Sequence, residues 1–182
     1  VSGDPARARR IVGMVFQDAD TQIVGETVRE DVAFGPENLS LDREEIEQRV
    51  NDALRITGLE HLAGARPHLL SGGEKRRLAI AGVLAMKPEV LALDEPFSNL
   101  DYPGTLQVLK QIVELHKIGR TIVITTHDLE KVIAHAGRLI IMKNGRIARE
   151  GAPELILPDA EIFGIKEPYF SRMGLGMISW LN

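Results

Sequence analysis

Apolar and polar positions along this chain switch between two rhythms. The run Ile11–Phe16 is short, rich in β-formers and followed by polar residues, which predicts a buried strand. Thr27-x-x-Glu30 is a capping-box pattern and predicts a short helix through Phe34, stopped by Gly35-Pro36. Asp42–Thr57 is the clearest amphipathic segment. Ile46, Val50, Ala53, Leu54 and Thr57 share one helical face, and Glu44, Glu45, Glu47 and Arg49 cover the other. Gly58 fits the position just past its end. Ser71-x-x-Glu74 is a second capping box and opens a helix to about Met86, ended by Pro88.

Val90–Leu93 is an apolar run between Pro88-Glu89 and Asp94-Glu95-Pro96, which predicts a strand buried on both faces. Pro103 sits where helices begin, and Leu106, Leu109, Ile112, Val113 and His116 keep helical spacing until Gly119. Thr121–Thr125 predicts another buried strand, followed by a helix from about Asp128 to Ala136. Arg138–Lys143, Asn144-Gly145 and Arg146–Arg149 read as a β-hairpin with a type I′ turn. Pro153 starts a last short helix. The tail from Leu157 has no strong period, yet it holds Phe163, Tyr169, Phe170 and Trp180, so it is expected to pack. Strands alternating with crossover helices give an α/β domain with a largely parallel core sheet. Ligands in such sheets bind at the carboxyl ends of the strands.

Composition narrows the class. The 182 residues fit the size of one domain, and an apolar fraction of 44% is enough for a core. The net charge of −4 argues against nonspecific nucleic-acid binding. Arg7, Arg9 and Arg10 read as a solvated approach to the first strand. There is no cysteine, which removes disulfides, thiol catalysis and Cys-ligated metals. The longest apolar stretch, about Ile80–Met86, falls far short of the roughly 20 residues that span a bilayer. No signal peptide opens the chain, and its first residue is Val1.

The polar residues after the predicted strands are the candidates for chemistry. Asp94-Glu95 puts two carboxylates at a strand end, where one can hold Mg²⁺ and the other polarise a water. A solvated turn explains the same pair. Ser71-Gly72-Gly73-Glu74 puts two glycines in a first helical turn, each about 1 kcal/mol worse than Ala. Gly lets a ligand approach the backbone, and a helix N-terminus offers N–H groups to an anion. A plain capping box explains them equally. His127 follows a strand and can donate to a phosphate or hold a structural hydrogen bond. Gln17 follows another strand and can orient water or simply turn the chain. Ser98-Asn99-Leu100-Asp101 reads as a turn and helix cap before Pro103.

Taken in order, these motifs resemble the ATP-binding subunit of ABC transporters over about Arg9 to Gly151. Leu70-Ser71-Gly72-Gly73-Glu74 matches the signature motif, and Leu91-Ala92-Leu93-Asp94-Glu95-Pro96 the Walker B strand. Ser98-Asn99-Leu100-Asp101 matches the D-loop, His127 the switch histidine and Gln17 the Q-loop glutamine. Gln17-Asp18, Asp20, Gln22 and the segment Glu30–Leu39 look like the cobalt/nickel and energy-coupling-factor importer branch. So does the segment Lys75–Met86 after the signature.

The resemblance implies a P-loop NTPase-like ABC ATPase fold, truncated at the N-terminus, with parallel core strands, a helical subdomain and a C-terminal β-hairpin. It implies the end of a first catalytic subdomain at 1–17 and a helical and signature subdomain at 18–88. The Walker B, D-loop and switch-histidine part would follow at 89–156, and a tail at 157–182. It implies ATP and Mg²⁺ as cofactors. Glu95 would polarise the attacking water, Asp94 and Gln17 would attend to Mg²⁺, and His127 would contact the γ-phosphate. Ser71, Gly72 and Gly73, with Glu74 in the same motif, would bind ATP held by a second ABC ATPase subunit. Asp101 would link the two sites.

The segment after Gln17 would grip a transmembrane transporter subunit, placing the protein on the cytoplasmic face of the membrane with no nucleic-acid partner. Its activity would be ATP hydrolysis driving uptake of a metal ion such as cobalt or nickel, or of a vitamin. One departure stands out. No G-x-x-x-x-G-K-[S/T] phosphate loop occurs in the 182 residues, so this chain alone is expected to be inactive. A non-catalytic ABC-like interaction module and an ABC-type DNA-repair ATPase are the alternatives.

Overall fold

Three parallel strands lie side by side in the order β1 (Val12–Val15), β2 (Val90–Asp94) and β3 (Thr121–Thr125). This is a computed structural model, and it describes residue 8 and residues 11–181. The basic triplet Arg7, Arg9 and Arg10 lies outside the described residues. The chain divides into two compact units, Val1–Thr125 and Thr126–Asn182.

In the first unit the register pairs Met14 with Ala92 and Ala92 with Val123, so these three side chains line one face of the sheet. That face is open: Met14 is 46% and Val123 50% exposed. The opposite face carries Val15, Leu91 and Leu93, all buried. The expectation that the strands at β1 and β3 are buried is thus corrected, and β2, expected to be buried on both faces, is fully buried on one and partly buried at Ala92 on the other. An apolar run reports that a strand is central in a sheet, but it does not say whether a layer covers each side.

The helices are α1 (Val28–Asn38), α2 (Arg43–Thr57), α3 (Gly72–Ala85) and α4 (Tyr102–Lys117). Both capping boxes form. Thr27 and Glu30 bond reciprocally at the start of α1, and Ser71 and Glu74 at the start of α3. Helix α2 has Asp42 as its N-cap and Gly58 in the left-handed conformation at its end. Helix α3 packs against α1, α2, α4 and β1, so nearly its whole surface is buried, as expected of a helix without a polar stripe. Its small residues Ala79, Ala81 and Ala85 let those neighbours approach.

Helix α1 runs through Gly35-Pro36 instead of stopping there. Pro36 has no N–H for the Val32 carbonyl, a loss that ordinarily ends a helix. Here Pro36 is buried, and the Asn38 side chain donates to the Phe34 carbonyl at 2.7 Å. Packing and this side-chain bond outweigh the missing backbone bond.

The second unit holds β4 (Leu139–Lys143) and β5 (Arg146–Gly151), an antiparallel hairpin. Asn144 (φ 51°) and Gly145 (φ 72°) both adopt positive φ, as a type I′ turn requires. The short helices α5 (Pro153–Ile156) and α6 (Tyr169–Arg172) follow. Leu129, Ile133, Leu139, Ile141, Ile156, Leu157 and Ala160 form its core, with Phe163, Ile165 and Met177 of the tail packed against it. The tail therefore packs as its aromatic content suggested, and Trp180 sits 6.0 Å from the Lys131 ammonium. The helix expected from Asp128 to Ala136 is two short 3₁₀ turns, Leu129–Lys131 and Ile133–His135. The adjacent β-branched pair Val132-Ile133 disfavours an α-helix, and nine residues are too few to nucleate one cheaply.

Candidate functional site

The carboxyl end of β2 places Asp94 and Glu95. Register pairs Asp94 with Thr125, whose hydroxyl donates to Asp94 Oδ1 at 2.5 Å. Glu95 follows in a left-handed conformation (φ 42°), uncommon for a residue with a side chain. Its N–H donates to the Thr125 carbonyl at 2.9 Å, and its carbonyl accepts from Ser98 N at 3.1 Å. The strand end is thereby turned sharply just after Asp94.

Gln17 lies just past the end of β1, in a loop fixed at three points. The Gln22 side chain accepts from Phe16 N and donates to the Met14 carbonyl, each at 3.1 Å. It thus caps the edge of β1 as a strand would. Lys75 Nζ on α3 meets Asp20 Oδ1 at 2.7 Å. Arg76, the next residue on α3, donates to the Phe16 carbonyl at 2.6 Å and the Gln17 carbonyl at 2.5 Å. Burial pushes the Arg76 guanidinium below its ordinary pKa, while the charges of Asp18 and Asp94 hold it up. Arg76 therefore joins Gln17 and Asp94 in one neighbourhood.

The start of α3 forms a second group. Glu74 Oε2 accepts from Ser71 N at 2.8 Å and from Ser71 Oγ at 2.7 Å. The Ser71 hydroxyl and N–H hold the Glu74 carboxyl below its ordinary pKa. Gly72 is exposed and Gly73 buried. A Cβ on Gly73 would stand 3.2 Å from the Cα of Gly104 on α4, whereas one on Gly72 would meet nothing closer than Leu100 Cδ2 at 3.5 Å. Close helix approach thus accounts for Gly73, and leaves Gly72 unaccounted for by packing. Asp101 caps α4, accepting from Gly104 N at 2.9 Å. The signature turn and the cap of α4 meet in this way.

The structure therefore brings Gln17, Asp94 and Arg76 together, and Ser71, Gly72, Gly73 and Glu74 with the Asp101 cap. His127 belongs to the second unit. There the Thr126 hydroxyl accepts from Asp128 N at 3.1 Å and shapes the turn that carries it. Among the described residues, no three His, Asp or Glu side chains gather as a metal site. The strand-end carboxylate Asp94 suits a Mg²⁺ that arrives on nucleotide phosphates, since such an ion needs only one or two protein carboxylates.

Sequence reasoning missed Arg76, Thr125 and Gln22 as site-building residues. An arginine running straight into the apolar stretch that begins at Leu78 was the available signal for Arg76. Gln22 stood in the importer-like segment and Thr125 at a strand end, but nothing local gave their bonds, because their partners lie on other strands and turns.

The ABC transporter family profile matches residues 3–98. The chain is 49% identical over 153 residues to the energy-coupling factor transporter ATP-binding protein EcfA of Methanocaldococcus jannaschii, spanning 84% of this chain and 55% of that protein. It is 48% identical over 154 residues to EcfA1 of Clostridium perfringens, spanning 84% and 54%. The chain thus spans about half the length of these relatives. A solved structure of cbiO1 from Clostridium perfringens, part of the ABC transporter complex cbiONQ, superposes with a TM-score of 0.79 at 41% identity. It covers 93% of this chain and 68% of that one.

Proposed function

Because the chain belongs to the ABC transporter family and has the ABC ATPase fold, we propose that it carries the signature, Walker B and Q-loop parts of an ATP-hydrolysing importer subunit. The observation that carries this reading is the strand end where Thr125 fixes Asp94, beside the loop that Arg76 fixes at Gln17. In this reading Glu95 polarises the attacking water and Gln17 attends to the water and the metal. Asp94 holds Mg²⁺, which neutralises charge on the transferring phosphate when bound. His127 donates to the γ-phosphate. Ser71, Gly72 and Gly73 bind the ATP of a second ABC ATPase subunit, and Asp101 links the two sites.

A helix N-terminus contributes only about 0.3–1 kcal/mol to an anion. Phosphate-loop contacts are charge-assisted hydrogen bonds worth about 1.5–3 kcal/mol each. In this reading the Ser71–Gly73 turn supplies one side of a nucleotide site, and a phosphate loop outside these 182 residues supplies the other.

The relatives are named as energy-coupling-factor ATP-binding proteins, and this supports work in an importer of a metal ion or vitamin. An open groove of about 510 Å³ lies between the segment after Gln17 and the approach to α3, lined by Asp20, Ile23, Glu26, Arg66 and His68. Exposed Val24 and Leu69 belong to the same two segments. We assign this groove to a helix of a transmembrane partner, which would hold the subunit at the cytoplasmic membrane face. No helix among the described residues is long and apolar enough to cross a membrane itself.

The test pairs this chain with an ABC ATPase subunit that has an intact phosphate loop. MgATP should drive their association and raise turnover above that of the partner alone, and Gly72→Ala in this chain should lower both. No MgATP-dependent association, or no added turnover, overturns the reading.

A further inference from the structure

Arg76 is 3% exposed, yet it carries a full charge into the most buried helix of the first unit. Removing a guanidinium from water is costly, and an apolar side chain of similar volume would fill the space more cheaply. Packing therefore does not explain it. Its bonds do. The planar fork reaches two successive carbonyls, those of Phe16 and Gln17, and so fixes the peptide that joins them. A flexible ammonium, a single point of charge, has no such geometry. The neighbouring Lys75 adds a third tie from α3, to Asp20 in the same loop. All three ties land on residues 16–20, and all leave α3 within its second turn, just after Ser71 and Gly72.

We propose that Arg76 is a positioning residue that latches the loop bearing Gln17 to the helix whose N-terminus bears Ser71 and Gly72, so that the two move as one body. The functional meaning of those two elements rests on the proposed ATPase reading, whereas the latch itself rests on the geometry. A displacement at the start of α3 is then passed to Gln17 through two hydrogen bonds from the Arg76 side chain to backbone carbonyls, without passing through the sheet.

Amide hydrogen exchange on the 182-residue chain tests this, with Arg76→Met and Arg76→Lys beside the wild type. Met keeps the packed volume and removes the fork. It should speed exchange at residues 17–22 at least tenfold while leaving α2 and α4 within twofold of wild type. Lys keeps charge and one donor, and should give a smaller acceleration of the same residues. Unchanged exchange in the loop, or equal acceleration of loop, α2 and α4, overturns the latch and leaves ordinary packing. If the Met variant does not fold, the Lys variant decides by the same local-against-global comparison. No nucleotide enters the experiment. Its failure therefore removes the latch alone, and absence of ATP turnover removes the ATPase reading alone.

Discussion

The Thr125 hydroxyl reaches Asp94 Oδ1 across two neighbouring parallel strands, in register, at 2.5 Å. The same threonine's carbonyl accepts the N–H of Glu95. One residue at the end of β3 thus orients one carboxylate and turns the backbone of the next. Thr125→Val keeps the shape and removes the hydroxyl. It should cost about 1 kcal/mol of stability, because the pair is partly solvated. Thr125→Ser should restore it, and thermal unfolding of both variants beside the wild type measures the two effects.

Gly72 and Gly73 separate packing from ligand access. Gly73→Ala drives a methyl toward the Gly104 Cα and should destabilise by about 1–3 kcal/mol. Gly72→Ala has room and gains helix propensity, so stability should hold or rise by up to about 1 kcal/mol. Nucleotide-driven association should nevertheless fall with Gly72→Ala, because the added methyl stands where an anion approaches. Denaturant unfolding and MgATP-dependent association, run on both variants, check this pair.

Glu74 gives the start of α3 a pH dependence. Its carboxyl lies below the ordinary value of 4.5, held there first by the Ser71 hydroxyl and then by the Ser71 N–H. A depressed carboxyl stabilises the fold above the unfolded pKa, and that contribution disappears as pH falls through the folded one. Glu74→Gln should therefore unfold at lower temperature than wild type near pH 7. The gap should narrow progressively as pH falls below about 4.5, that ordinary carboxyl value. Melting curves at a series of pH values read it directly, and a gap that stays constant from about pH 7 through the acid range counts against this role.

The sheet's two faces should respond differently. Leu93→Ala on the covered face should cost about 2–5 kcal/mol. Met14→Ser on the open face should change stability by no more than about 0.5 kcal/mol, as other exposed positions do. Chemical denaturation of the two variants distinguishes a one-sided sheet from one packed on both sides.

Much of this fold was legible because its signals are local. The capping boxes at Thr27 and Ser71, the amphipathic face of α2 and the Asn144-Gly145 turn each sit within a few residues of sequence, and each formed. What misled was decided elsewhere in space. Helix α1 passes Pro36 because of what Pro36 packs on. The apolar letters of β1 and β3 do not reveal that Met14 and Val123, on one face of the sheet, are about half exposed. The same division holds at the site. Asp94, Glu95, Gln17 and Ser71 announce themselves by motif order. The residues that hold them, Thr125, Arg76 and Gln22, act across strands and loops far apart in the chain.

The measurement closest to the central claim is a titration of this chain with a fluorescent ATP analogue and Mg²⁺, alone and then with a partner bearing the phosphate loop. Lacking about three charge-assisted bonds of roughly 1.5–3 kcal/mol each, the chain alone should bind several orders of magnitude more weakly than the pair. The pair should bind tightly and lose that affinity with Gly72→Ala. Low-micromolar binding by the chain alone, or no gain on adding the partner, contradicts the account.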